Sequence, residues 1–319
     1  MTHPLTDRRV VAAQGAGPTT ARPSTTAGRP SWLPYDEYPF EDRYLELPDA
    51  RLHYIDEGIG PVLLFVHAGP AWSFIFRGLI VRLREDFRCV ALDFPGSGLS
   101  PAPVGYRPQL AGSAEILDRF IRALDLREVG LVVHDLGGPV AIGAVARHPE
   151  RIRAMAVTES FAWPLARENP RIARMLRIVG SRPFRLLNQL TNLLAWVGST
   201  SYGAGRHLSR AGRRAFLGPY RDRSARRHAV AMLHDVAHAD GYLRDVDRIV
   251  RSHFTTRPML LIYGAESPGV KESFPERWRA RVPDAQLLLV PGAHHFPMAD
   301  DPDAVAGAIR RWWEATATV

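Results

Sequence analysis

Asp135 follows the apolar run Leu131-Val132-Val133 and His134, and precedes Leu136-Gly137-Gly138-Pro139-Val140. A carboxylate placed where a buried strand gives way to a helix can attack sp3 carbon, expel a leaving group and form an alkyl ester that water must then hydrolyse. A serine there would instead suggest acyl transfer. Asp is also a good helix N-cap, which is the plainer explanation of its position. The glycines at 137 and 138 favour the catalytic reading, because they let backbone and helix pack closely enough to present the side chain.

Three further segments could take part. His67-Ala68-Gly69-Pro70 follows the apolar run Val62 to Val66, and its backbone N–H groups, with that of Leu136, could form an oxyanion hole. Pro291-Gly292-Ala293-His294-His295-Phe296-Pro297 follows the last apolar run and offers a base for the water; His295 is favoured, with His294 its competitor. The Gly-rich stretch from Asp93 to Ser100 matches neither a P-loop nor a dinucleotide fingerprint and reads as a structural turn.

These segments need a scaffold that brings residues 67 to 295 together. Two short strands, Arg43 to Leu47 and Arg51 to Asp56, flank Pro48-Asp49-Ala50, and Val62 to Val66 is a buried third. Alternation follows: strand Cys89 to Asp93, helix Ala114 to Leu124, strand Val129 to Val133, helix Pro139 to Arg147, strand Ile152 to Thr158. Residues 163–251 turn mostly helical (Ile172 to Ile178, Phe184 to Val197, His207 to Phe216, Ser224 to His238) and read as a cap. Strands Met259 to Tyr263 and Gln286 to Val290 and the amphipathic helix Asp303 to Trp313 complete the chain. The expected fold is α/β: an eight-stranded, mostly parallel sheet with helices on both faces and a helical cap inserted after strand six. Its core is 35–162 and 252–319. Residues 1–34, rich in Pro, Gly, Thr and Ala without an apolar face, read as a disordered tail.

Of the 41 basic residues only Lys271 is lysine, so the net charge of +8 reflects arginine usage more than a surface built for polyanions. Residues 163–255 nonetheless hold seventeen Arg against six Asp and Glu, which keeps an acidic ligand in view for that segment. The single cysteine, Cys89, excludes a disulfide framework. No apolar run approaches the ~18 to 20 residues of a membrane span, and Val10 to Ala13 is too short for a secretory signal, so the protein reads as cytoplasmic.

Taken together, the His67 to Phe74 segment, the His134 to Gly138 elbow, His295-Phe296 and the run Phe40 to Leu47 resemble the α/β-hydrolase superfamily, specifically its aspartate-nucleophile branch of haloalkane dehalogenases and epoxide hydrolases. The resemblance spans about Tyr35 to Trp313 and implies a cofactor-free, metal-free hydrolase acting on a small, largely apolar molecule, with neither nucleic acid nor membrane as partner. Most relatives carry the acid that orients the histidine after the seventh strand. Here Ser267 falls at that place, and Glu159, after the sixth strand, matches the position used by one group of dehalogenases; Glu266 is the reserve. The resemblance thus implies Asp135, His295 and Glu159 as the catalytic set, with Gly69 and Leu136 N–H groups as oxyanion hole.

The family's halide donors, a Trp directly after the nucleophile and a second Trp or Asn, are replaced by Leu136 and Gly69. Each lost donor to an anion is worth ~1.5 to 3 kcal/mol, so two lost donors slow halide departure roughly a hundredfold to ten-thousandfold. Replacement donors would come from Trp72, Trp163 or Trp196, or, for an epoxide oxygen, from Tyr202, Tyr220 or Tyr242. The readings are therefore a haloalkane dehalogenase-like hydrolase, an epoxide hydrolase using cap tyrosines, or a non-catalytic binding protein of the same fold.

Overall fold

A computed structural model describes residues 28–201 and 203–316. Its eight strands are β1 (Arg43–Leu47), β2 (Ala50–Glu57), β3 (Val62–Val66), β4 (Arg88–Leu92), β5 (Val129–His134), β6 (Ile152–Thr158), β7 (Met259–Gly264) and β8 (Gln286–Val290). They form one sheet in the order β1-β2-β4-β3-β5-β6-β7-β8. The first two pairings are antiparallel and the remaining five parallel, so the sheet is mostly parallel, as its alternation with helices requires.

The continuous apolar runs follow from burial on both faces. Leu64, Val66, Leu131 and Val133 point into one core with the helices Leu110–Ala123 and Gly137–Val145. Their neighbours Leu63, Phe65 and Val132 point into the other, against Arg77–Leu83 and Pro302–Thr316. The two-residue period of the strands thus splits each run between two cores.

Between β6 and β7 the chain is helical. The expected helix Phe184 to Val197 is two helices, Arg182–Thr191 and Leu193–Gly198, because Asn192 adopts a left-handed φ of 58°. Asn188 secures the break: its Oδ1 accepts the Leu194 N–H at 2.8 Å and its Nδ2 donates to the Arg226 carbonyl at 3.1 Å. Arg223–Val236 follows, and then Asp240–Ile249, a helix the sequence reading left out. No helix among the described residues is long and apolar enough to cross a membrane.

The expected tail, 1–34, falls outside the described residues as far as 27; of its last seven residues Leu33 is buried and Arg29, Pro30, Trp32 and Pro34 are half-buried, so packing begins before Tyr35. Leu33 is buried, Trp32 meets the edge of Trp72 at 6.0 Å between ring centroids, and Arg29 binds both carboxylate oxygens of Asp42 at 2.7 and 2.9 Å. Composition hid this because the ordering contacts come from distant residues. Gly218, in the helical insertion, is one of them: a Cβ there would lie 2.0 Å from the Trp32 ring.

Candidate active site

β5 ends at His134, and Asp135 turns the chain with φ of 48° before the helix Gly137–Val145 begins. That left-handed conformation is strained for a residue with a Cβ. It persists because its surroundings enforce it. The Asp135 carbonyl accepts from Ser160 Oγ at 2.5 Å and from the Gly138 N–H at 3.1 Å, and the Asp135 N–H donates to the Thr158 carbonyl. Gly137 and Gly138 permit the closeness: a Cβ on the first would sit 2.2 Å from the Val66 carbonyl oxygen, and on the second 1.9 Å from Ser160 Oγ.

Glu159 repeats the device one strand over. It follows β6 with φ of 49° and is buried. Its Oε1 accepts the Gly264 N–H at 2.7 Å, which leaves Oε2 facing His295 Nδ1 at 3.6 Å. His295 Nε2 lies 3.7 Å from Asp135 Oδ2, so one imidazole stands between the two carboxylates. Burial pushes its proton affinity down, but the two carboxylates outweigh that and raise the pKa to about 10. His134, packed 4.9 Å from His295 between ring centroids, is driven well below the ordinary histidine value by burial and by that neighbouring charge.

The competing residues lie elsewhere. His294 pairs with the exposed Glu266 at 3.7 Å. Ser267 is fully buried and caps Pro268–Lys271 by accepting the Val270 N–H at 3.1 Å, a structural task. The Asp93 to Ser100 turn is likewise structural. Asp93 accepts the Ser73 N–H at 2.9 Å and the Leu99 N–H at 3.0 Å and holds the buried His53 at 2.8 Å, which anchors the segment carrying Gly69.

Gly69 and Leu136 line one cavity of about 30 Å³, room for about two waters. Its other walls include His67, Phe94, Tyr106, Tyr220, His228 and Met232, the last three from the insertion. His67 is no donor to this space: its Nε2 accepts the Phe94 N–H at 3.1 Å, and its Nδ1 faces the Ala68 carbonyl at 3.3 Å.

Of the leaving-group candidates, only Tyr220 reaches the cavity, and its hydroxyl donates to the Ala71 carbonyl at 3.1 Å. Tyr242 donates to the Pro139 carbonyl at 2.8 Å. Trp72 stacks on Phe74, and Trp163 packs among Phe161, Phe274 and Trp278; both indole N–H groups are buried without a partner, away from the cavity walls. Trp196 is exposed, and Tyr202 lies outside the described residues. Sequence reasoning missed Tyr106 and His228, which no spacing rule joins. The available signal was His228 on the inward face of an expected helix.

The alpha/beta hydrolase fold family model matches residues 61–302. Haloalkane dehalogenase 2 of Mycobacterium tuberculosis is 31% identical over 277 residues, covering 85% of this chain and 94% of that protein. Cis-3-alkyl-4-alkyloxetan-2-one decarboxylase of Shewanella oneidensis is 28% identical over 292 residues, covering 88% of this chain and 91% of that protein. Among solved structures, haloalkane dehalogenase DbeA from Bradyrhizobium elkani superposes with a TM-score of 0.77 at 19% identity, covering 88% of this chain and 99% of that one.

Proposed function

Since the chain belongs to the alpha/beta hydrolase fold family and is an enzyme with haloalkane dehalogenase homologues, we propose that it hydrolyses a small molecule through an alkyl ester on Asp135. The observation that carries this reading is the line Asp135–His295–Glu159, with each carboxylate on a strained residue just past a strand end. An Asp135 oxygen forms a bond to the substrate carbon while the carbon–leaving-group bond breaks and the leaving group departs with the electron pair. His295 then takes a proton from water, and the hydroxide adds to the ester carbonyl. The Gly69 and Leu136 N–H groups hold the oxyanion, and collapse releases the alcohol and restores Asp135.

The charge arrangement times the base. In the resting enzyme two carboxylates hold the proton on His295, with its pKa near 10. Alkylation removes the charge of Asp135 and leaves Glu159 alone against burial, so the proton affinity falls and a neutral imidazole becomes available when water must be activated. Glu159, anchored by Gly264, is the positioning residue for that imidazole. The insertion, 163–251, acts as the cap that excludes water and chooses the substrate.

Epoxide opening is the second reading, favoured by the character of the cavity wall. Neither Leu136 nor Gly69 offers a side-chain donor to halide, whereas Tyr106 and Tyr220 line the space, Tyr220 donating only by giving up its bond to the Ala71 carbonyl, and burial raises both phenol pKa values, keeping them protonated. An epoxide oxygen remains attached and needs such a proton. Halide release and diol formation measured on matched haloalkanes and epoxides separate the two. Asp135→Asn should abolish turnover of either, by on the order of a thousandfold or more, with the fold unchanged by circular dichroism. Retained activity in that variant removes the mechanism.

A further inference from the structure

Tyr106, Pro108 and His228 line a second space besides the cavity beside Leu136: an outer groove of about 1030 Å³ between residues 102–109 and the helices Arg182–Thr191 and Arg223–Val236. One layer of side chains therefore separates this groove from the cavity beside Leu136. The rings of Tyr106 and His228 meet edge to face at 5.5 Å between centroids, and His228 Nδ1 is buried without a partner.

The groove is strongly cationic. Arg107, Arg182, Arg185 and Arg227 line it and are exposed. Among the described residues none of these four makes an ion pair; of the insertion's arginines, Arg171, Arg248 and Arg251 do. The one carboxylate on the groove wall, Asp235, accepts the Leu110 N–H at 2.8 Å. The field reaches the histidines of the wall. His228 is held below the ordinary histidine value by burial and Arg227, and His234 by burial, His238 and Arg185. Four like charges around one concavity repel each other unless an anion occupies it, and guanidinium groups grip a carboxylate through two parallel N–H donors.

We propose that this groove is the vestibule for an anionic substrate: its carboxylate rests among Arg107, Arg182, Arg185 and Arg227, and its electrophilic carbon enters the cavity beside Leu136, toward Asp135, when the Tyr106–His228 contact parts. The inference rests on Asp135 as nucleophile and replaces the sequence expectation of a largely apolar substrate. Only the reacting end is apolar, matching the inner walls Phe94, Leu136, Val140 and Met232.

Two measurements test it. In turnover, omega-bromooctanoate should show a lower KM than bromooctane, with the advantage shrinking as salt is raised. Combining Arg182→Gln, Arg185→Gln and Arg227→Gln should raise the KM for omega-bromooctanoate about tenfold while kcat holds. In binding, octanoate should outcompete octanol on Asp135→Asn in calorimetric titration and lose that preference when the three arginine substitutions are added. Equal affinities for octanoate and octanol, or an unchanged KM in the triple variant, would overturn the vestibule and leave the Asp135 mechanism standing. Arginine-dependent octanoate binding without any adduct on Asp135 of His295→Gln, from either bromide or from the matched epoxides, supports the vestibule and removes the nucleophile.

Discussion

On one side of Asp135, the polar groups sit on strand ends and the loop after β8. Glu159 Oε1 is fixed by the Gly264 backbone, and His295 stands 3.6 and 3.7 Å from the two carboxylates. On the other side the strand ends supply His67, Gly69, Phe94 and Leu136, and the wall is completed by residues from the 102–109 loop and the helical insertion. The first side belongs to strand ends whose spacing is dictated by parallel pairing, and in the proposed mechanism it carries the step in which water reacts. The second is assembled from segments over a hundred residues apart, and in the proposed mechanism it governs what departs from the substrate and what enters. Chemistry and selectivity thus have separate structural owners, and a substitution on one side should leave the other readable.

The largest effect on this contrast should come from His295→Gln. Alkylation needs only Asp135, while hydrolysis needs the imidazole, so the variant should complete one turnover and stall as an ester, with kcat down at least about a thousandfold. Intact-mass spectrometry would show the added alkyl group. A variant that cycles normally would mean that the water is activated elsewhere.

Glu159→Gln should be milder, lowering kcat roughly 10- to 100-fold, the usual range for a group that orients a catalytic base. Removing one of the two charges that raise the His295 pKa should also move the acidic limb of the kcat profile to lower pH. A loss in kcat with no shift of that limb would indicate a purely structural carboxylate.

On the selectivity side, Gly69 has room. The nearest atom to a Cβ built there is the Ala229 Cα at 4.0 Å. Gly69→Asn would return an N–H donor to the halide flank, and with one donor worth ~1.5 kcal/mol, halide release should rise about tenfold. Diol formation from epoxides should not follow. A parallel rise in both products would mean that the substitution acts on access and not on the leaving group.

The same charge arrangement also bears on stability. His295 has a folded pKa near 10 against an ordinary value of 6.5, so protonation favours the folded state. The contribution is full below about pH 6.5 and is lost as pH rises through about 10. The Tm advantage of the native chain over His295→Gln should therefore narrow across that interval. An advantage that grows with pH would reverse the assignment of charge.

The same division explains what the sequence made legible. Strands β3 to β7 could be read because burial on both faces leaves unbroken apolar runs, the edge strand β8 by its own apolar run, and Asp135 and His295 because each follows such a run. Glu159 needed a likeness to known hydrolases, since a lone carboxylate after a strand has no local signature. The helix Asp240–Ile249 went unread because its N-cap, Ala239, makes no side-chain capping bond. Arg77–Leu83 and Phe274–Arg279 are too short for a helical period to stand out. Tyr106 and His228 became neighbours only through tertiary packing, and the four arginines acquired meaning only once a groove gathered them.

The segment before Tyr35 has a kinetic implication. Trp32 touches Trp72, beside the oxyanion segment, and also fills the space over Gly218 in the insertion, while Ser209 in the insertion donates to Glu37 just beyond. It therefore works as a strut between the catalytic body and the element that roofs it. A chain begun at Tyr35 would keep every strand and the Asp135–His295–Glu159 line, but its roof would be tethered at fewer points. The cost would fall on how long a bound molecule stays, with the bond-breaking step left as it was.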